Sequence, residues 1–157
     1  AGKWRGTPAT IWRNVTPSFI YRALKGLPLL IDGAGEATRD FIYVDDIVAG
    51  LIACALQGLP GDVYNLASGV ETSIIDLAKT ILKNTNSSSS LQMMPRRTWD
   101  HSGKRFGSTS KSRQILGFEA NQTLTEGIQK TIEWTQDNLT LIDQCIKKHE
   151  DRQVEIR

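Results

Sequence analysis

The sequence predicts an α/β or α+β domain in which a small mixed sheet packs with several helices. Runs with apolar residues at helical spacing alternate along the chain with short runs rich in aromatic and β-branched residues. The chain has 157 residues, a length typical of one domain. Its 39% hydrophobic and 23% charged residues are the balance of an ordinary globular protein.

Composition also argues against several classes of protein. A net charge of +2 is too small to favour nucleic acid or a membrane surface as a partner. No apolar run reaches the roughly 20 residues that a membrane span requires. Cys54 and Cys145 are far apart, so we expect no disulfide framework and a cytoplasmic location. The two histidines are also widely separated, so no metal site is expected.

The first predicted helix lies within the stretch NVTPSFIYRALKG. Thr16 is its predicted N-cap, Pro17 its first residue, and Gly26 follows its end. A short strand is predicted over Pro28–Ile31.

The stretch RDFIYV, residues 39–44, has the composition of a strand. Asp45 is the predicted N-cap of a helix over Ile47–Gln57. Because this helix is apolar nearly all round, we expect it to be buried. Tyr43 and Val44 are predicted core residues.

The remaining elements follow from local patterns. Helical spacing of apolar residues predicts a helix that starts at Thr72 or Ser73, with its stripe at Ile74, Leu77, Ala78 and Ile81. Thr123 with Glu126 forms a predicted capping box, and the helix that follows has Leu124, Ile128 and Ile132 on one face. The other elements are predicted strands at Asp62–Ala67 and at LQMMP (residues 91–95), and an amphipathic helix from about Leu139 to Glu150. We therefore divide the chain into a linker-like entry segment (1–13), one domain (14–138) and a C-terminal amphipathic helix (139–157).

Cations concentrate at Arg39 and in the run from Arg96 to Arg113, which contains one acidic residue, Asp100. Arginine suits a phosphate group because its planar fork donates several hydrogen bonds. Arg39 and Arg97 are therefore candidates to hold a pyrophosphate from two sides. Asn14 is a candidate amide donor, and Asp100 a candidate acceptor for sugar hydroxyls.

Two other interpretations of these cations remain open. In the first, Arg39 pairs with Asp40 or Asp45, and the basic run is a solvated loop. In the second, residues 96–113 form a basic RNA-binding surface.

Three stretches together resemble the C-terminal half of the extended short-chain dehydrogenase/reductase family. They are TRDFIYVDDIVAGL, GDVYNLASGVETSIIDLA and SKSRQILGFEANQTLTEGIQKTIEW. This family includes the NAD-dependent epimerases and dehydratases of nucleotide sugars, such as UDP-galactose 4-epimerase. The resemblance runs from about Asn14 to Asn138.

The resemblance implies roles for six substrate-binding residues. Arg39 and Asn14 match positions that face the nucleotide diphosphate. Arg97 and Asp100, in RTWD, match residues that contact phosphate and ribose. The remaining two, Leu30 and Asp32, match positions whose backbone borders the base. The family often has an aromatic residue at the Asp32 position, and Trp99 replaces a residue that is often small.

The resemblance also implies what this chain lacks. No G-x-G-x-x-G turn is present, and the family's catalytic pair, a tyrosine followed four residues later by a lysine, is expected in an N-terminal Rossmann half. We therefore expect the Rossmann half to be absent, with no catalytic residue, cofactor or metal in this chain and NAD in the full-length protein. The expected ligand of residues 14–138 is a nucleotide sugar. The alternative is a stand-alone binding or self-association module without enzymatic activity, which forms a homo-oligomer through an exposed apolar face.

Overall fold

The computed structural model describes residues 14–96 and 103–148. The helices of this part of the chain are α1 (Val15–Leu24), α2 (Val44–Gln57), α3 (Ile74–Thr85), α4 (Ser110–Leu116), α5 (Leu124–Asp137) and α6 (Leu139–Lys148). Its strands are β1 (Leu29–Asp32), β2 (Thr38–Asp40), β3 (Glu71–Ser73) and β4 (Leu91–Met94). None of these helices is long and apolar enough to cross a membrane.

The strands form two separate pairs rather than the single mixed sheet that we predicted. β1 runs parallel to β4, and β2 runs antiparallel to β3. The chain turns between β1 and β2 at Gly33 and Gly35, which both have positive φ angles. A Cβ on Gly35 would lie 2.8 Å from Ile31 Cγ2, so only glycine fits this turn. The turn redirects the chain, and β2 therefore starts a new pair.

One apolar core joins α1, β1, α3 and α5. Its buried members are Phe19, Ile20, Ala23, Leu29, Ile31, Leu77, Ala78, Ile81, Ile128 and Ile132. The helical stripes predicted in α3 and α5 therefore face the core. The predicted capping box is also present, because Thr123 Oγ1 accepts from the Glu126 amide at 3.3 Å while the Glu126 carboxylate accepts from the Thr123 amide at 2.8 Å.

The start of α1 differs from the prediction. Asn14, not Thr16, is the N-cap, and Pro17 is the third residue of the helix. The helix begins earlier because the Asn14 carbonyl already accepts from the Ser18 amide at 3.2 Å. Pro17 is tolerated there, since amides of the first turn have no partner within the helix. Gly26 follows the end of the helix with φ +67°, as predicted.

The stretch around residues 39–47 also differs from the prediction. The strand covers only Thr38–Asp40, the N-cap of α2 is Tyr43, and Asp45 is the second residue of the helix. The helix starts earlier because the Tyr43 carbonyl accepts from the Ile47 amide at 3.2 Å. Asp45 can still stabilise α2 through the helix dipole.

Most of α2 is not buried, contrary to the prediction. Its buried residues are Asp46 and Gly50. The apolar side chains of Val44, Val48, Leu51, Ile52 and Leu56 are between 49% and 77% exposed, and we call these five residues the α2 face. Gly50 allows close packing of the opposite side, because a Cβ there would lie 2.8 Å from Leu66 Cδ2 and 3.0 Å from Phe118 Cε2.

The predicted strand over Asp62–Ala67 is not formed within the described residues. The backbone groups of residues 64–67 make no hydrogen bond to another described residue, so this segment has no strand partner there. Side chains hold it instead. The Tyr64 hydroxyl accepts from the Leu59 amide at 3.0 Å, and Asn65 donates to the Ser108 carbonyl at 3.1 Å.

Asp46 joins α2 to the segment before α5. Its buried carboxylate accepts from the backbone amides of Asn121 at 3.1 Å and Gln122 at 3.0 Å. A buried carboxylate is costly unless such donors satisfy it. The two amides therefore make the buried charge tolerable and fix the entry to α5.

The C-terminal helix α6 is amphipathic, with Ile142 and Ile146 buried. It is attached to α1 through Asp143, whose carboxylate accepts from the Tyr21 hydroxyl at 2.9 Å and pairs with Lys25 Nζ at 2.6 Å. The hydrogen bond from Lys25, helped by the one from Tyr21, lowers the pKa of Asp143 below its ordinary value.

We expect Asp46→Ala to lower the free energy of unfolding by about 2–3 kcal/mol, because two amides lose a charged acceptor. The matched control is Asp45→Ala, which removes an exposed carboxylate from the first turn of the same helix and should cost about 0.3–1 kcal/mol. Urea unfolding measures both. Equal losses in the two variants would contradict the role given to Asp46.

We expect Asp143→Asn to lower the free energy of unfolding at neutral pH by about 0.2–1 kcal/mol, the range of an exposed pair. The folded-state pKa is depressed, so the stabilisation is fully present above the ordinary aspartate pKa of about 3.9 and is lost as the pH falls through the folded-state value. The gap between wild type and variant should therefore narrow in acid. Denaturant titrations at neutral and acidic pH test this, with Asp137→Asn as an exposed control that should lose no stability. A gap that stays constant with pH would refute it.

Candidate functional site

The basic segment 103–107 lies alongside β2. The Thr38 amide donates to the Gly103 carbonyl at 3.2 Å, and the Arg105 amide donates to the Thr38 carbonyl at 3.1 Å. Thr38 and Lys104 thereby form a parallel bridge. β2 therefore has β3 on one side and this segment on the other.

The Arg39 side chain reinforces this contact. Its NH1 group donates to the Thr38 carbonyl at 2.7 Å and to the Gly103 carbonyl at 3.1 Å. These two carbonyls hold the guanidinium at the junction of β2 with the basic segment.

An open groove of about 550 Å³ lies along this junction. It is lined by Arg39, Asp40, Lys104, Arg105, Phe106 and Gly107. Phe106 is exposed and offers an aromatic surface beside the cations. We call these six residues the β2 groove.

The charges of the β2 groove favour an anion. It contains three cations, Arg39, Lys104 and Arg105. The Asp40 carboxylate accepts from Ser68, Gly69 and Gly107. Lys104 Nζ lies 4.0 Å from the Glu71 carboxylate, and Glu71 also accepts from the Thr38 hydroxyl at 2.7 Å. Such a groove can bind and orient a negatively charged group.

The sequence-predicted site residues occupy different places. Arg39 lines the β2 groove. Asn14 is exposed at the start of α1, Leu30 is half-buried within β1, and Asp32 is exposed at the end of β1. Within the described residues, the groove lining does not include these last three. Arg97 and Asp100 lie outside the described residues, and their roles remain predictions.

The structure locates the residues on either side of the segment 97–102. Asp32 pairs with Met94, so the parallel strands β1 and β4 end at the same edge. Arg96 follows β4 and packs near Gly33, since a Cβ on Gly33 would lie 3.7 Å from Arg96 Cβ. On the other side, Gly103 accepts from Arg39.

The later part of the basic run has local partners. Lys111 pairs with Asp62 and lies 5.0 Å from the Tyr64 ring centroid, and Arg113 pairs with Glu119 at 2.5 Å. Both cations belong to α4, a helix that we did not predict because the run was interpreted as a loop. The described residues 103–113 are thus not one uniform basic surface.

The spacing of a tyrosine followed four residues later by a lysine occurs in α1, at Tyr21 and Lys25. Both side chains contact Asp143 and attach α6 to α1. This pair therefore has a structural role in the fold. Tyr43, which we predicted as a core residue, is half-buried against Gly127, with Lys130 Nζ 5.1 Å from its ring centroid. Val44 was also predicted as core, but it is 60% exposed.

Sequence reasoning did not assign Asp40, Lys104, Arg105 or Phe106 to the site. The basic run was a visible signal for Lys104 and Arg105, but no local pattern indicates that this segment lies beside β2. In residues 14–96 and 103–148, no group of three or more His, Cys, Asp or Glu side chains is arranged to hold a metal ion.

Comparison with known proteins connects this geometry to a family. The family model of the NAD dependent epimerase/dehydratase family matches residues 2–67. The crystal structure of the Bordetella bronchiseptica enzyme WbmF in complex with NAD+ and UDP is 58% identical, with a TM-score of 0.82, and covers 97% of this chain. Residues 2–67 thus resemble this family, and nearly the whole chain resembles part of WbmF.

Two further proteins are similar to this chain. Human dTDP-D-glucose 4,6-dehydratase is 33% identical over 130 residues, which cover 80% of this chain and 37% of the relative. The UDP-glucose 4-epimerase from Thermotoga maritima, solved with UDP-glucose, is 30% identical with a TM-score of 0.77 and covers 80% of this chain and 40% of its own. The match to WbmF likewise covers 45% of that enzyme. The chain thus spans less than half the length of these relatives.

Proposed function

We propose that this chain is the nucleotide-sugar-binding, C-terminal half of an NAD-dependent epimerase or dehydratase and is not catalytic alone. The observation that carries the proposal is the β2 groove, in which Arg39, Lys104 and Arg105 line one cleft. A nucleotide diphosphate is a doubly charged anion, and several arginine and lysine donors stabilise such a group. The Bordetella relative was solved with NAD+ and UDP, and the Thermotoga relative with UDP-glucose.

In this proposal the chain supplies binding energy rather than chemistry. Its cations hold the diphosphate, which is remote from the reacting sugar carbon, and thereby orient the sugar. NAD, which supplies hydride transfer in the full-length protein, is assigned to the rest of that protein, since no phosphate-cradling G-x-G-x-x-G turn is present in this sequence. Arg97 and Asp100 are proposed to complete the site at the phosphate and ribose.

A second surface supports the proposal that the chain is one half of a larger unit. The α2 face exposes five apolar side chains. Leu59 and Val63, which follow α2 in the chain, are also exposed, at 58% and 77%. Residues 64–67, which contact the other side of α2 through Leu66, have no strand partner within the described residues. An exposed apolar face and a segment without a strand partner are features that a domain shows when a neighbouring sheet and its packing layer are missing.

The groove predicts the first test of this proposal. Arg39→Ala and Arg105→Ala should each weaken UDP-glucose binding by roughly 1.5–3 kcal/mol, the scale of a charge-assisted hydrogen bond. Arg97→Ala is expected to have a similar effect. The matched control is Lys83→Ala, which removes an exposed cation near the end of α3, about 15 Å along that helix from β3. Calorimetry or NMR titration measures the affinities. If Arg39→Ala weakens UDP-glucose binding no more than Lys83→Ala does, the β2 groove is not part of the binding site.

The α2 face predicts a second test. If the chain is one half of a larger unit, it should associate with the part of WbmF that lies outside the aligned region, since in this proposal that part corresponds to the missing packing layer. Leu51→Lys should weaken the association at least tenfold, since a charge would be placed in an apolar interface. The control is Leu141→Lys on α6, where Leu141 is 45% exposed. Co-expression with affinity capture measures the association. If Leu51→Lys instead abolishes a self-association of this chain while the WbmF part is not bound, the stand-alone module is correct.

A further inference from the structure

The Asp40 carboxylate collects donors from two loops that are distant in sequence. It accepts from the Ser68 amide at 2.8 Å, the Ser68 hydroxyl at 2.6 Å and the Gly69 amide at 2.9 Å. The Gly107 amide donates to it at a longer distance, 3.5 Å. A carboxylate can accept about four hydrogen bonds, so these contacts use its capacity.

The first of these loops is folded around the carboxylate. Besides its bond to Asp40, the Ser68 hydroxyl accepts from the Val70 amide at 3.1 Å. Gly69 has φ +75°, a conformation that other residues rarely adopt. A Cβ at Gly69 would lie 3.4 Å from Thr109 Oγ1, so this turn also lies close to the chain that follows Gly107.

The second loop is the basic segment of the β2 groove. Thr38 and Arg39 hold its beginning at Gly103 and Arg105. Asp40 holds its end through Gly107. The three consecutive residues of β2 thus fix the segment on which Lys104, Arg105 and Phe106 stand.

A carboxylate in a groove for an anion requires an explanation. Its charge opposes the approach of a phosphate group, so electrostatics alone predicts that its removal would strengthen anion binding. All four recorded donors to Asp40 are uncharged amide or hydroxyl groups. The arrangement fits a group that orders backbone.

We propose that Asp40 is a positioning residue of the β2 groove, whose carboxylate holds the segment 103–107 beside Arg39 in the geometry that binds a diphosphate. This inference rests on the function proposed above. It differs from a purely electrostatic role in the sign of its predicted effect, because neutralising Asp40 should weaken the binding of an anion.

The test uses Asp40→Asn in the 157-residue chain with UDP as the probe. The asparagine side chain has the size of aspartate, but an NH2 donor replaces one of the two carboxylate oxygens. This donor would face the donor groups of the two loops. UDP affinity should fall by about fivefold or more, the effect of losing one hydrogen bond. Amide hydrogen exchange at Gly69, Arg105 and Gly107 should accelerate, while exchange in α5 stays unchanged. Asp45→Asn is the control for charge and should leave both measurements at the wild-type values.

Each outcome decides the proposal. Unchanged or tighter UDP binding by Asp40→Asn, with unchanged exchange at Arg105 and Gly107, overturns it. If the wild type binds no UDP, the proposed function fails, and hydrogen exchange alone then decides whether Asp40 holds the segment. If Asp40→Asn does not fold, Ser68→Ala replaces it, because this variant keeps the charge and removes one donor. Its UDP affinity should fall about twofold or more, with faster exchange at Gly69, and wild-type behaviour in both measurements overturns the proposal.

Discussion

The architecture of the candidate site depends on β2, a strand of three residues. Its backbone pairs with β3 on one side and with the basic segment on the other. Its side chains make further hydrogen bonds. Thr38 donates to Glu71, and Arg39 donates to Gly103. Asp40 accepts from the loops that contain Ser68 and Gly107. An isolated strand pair this short is marginal in water. The site therefore requires that something else hold β2 and β3 in place.

The apolar core provides that support through α3. Ser73 ends β3 and caps α3, since its hydroxyl accepts from the Asp76 amide at 3.1 Å. At the start of α3, the amides of Ile74 and Ile75 donate to the carbonyls of Ala37 and Gly35, just before β2. Leu77 and Ile81, on the same helix, are fully buried in the core. Core packing fixes α3, α3 fixes β3 and the approach to β2, and β2 then sets the position of the groove.

Local signals in the sequence predicted much of this framework. The capping box of α5, the buried stripe of α3 and the glycine that follows α1 each depend on residues within a few positions of one another. The site depends on contacts across long separations, and these leave no local pattern. Asp40 contacts residues 28 to 67 positions away. Asp46 contacts residues 75 and 76 positions away. The sequence therefore made Arg39 a candidate site residue but could not reveal which loop would lie beside it.

The two largest errors of sequence interpretation concern α2 and the segment that packs against it. The pattern of α2 predicts burial, yet its apolar face is exposed, and the pattern of residues 62–67 predicts a strand, yet that segment has no partner in the described chain. The segment packs on the other side of α2 from this face, since Leu66 lies against Gly50. Apolar periodicity and β propensity indicate which environment a residue favours, such as a buried core or a sheet. They do not indicate whether the same chain provides that environment. Self-association would cover the α2 face but gives no specific reason for a strand-like segment beside it. Under the proposed function, a sheet and packing layer from the remainder of a longer protein would account for both features.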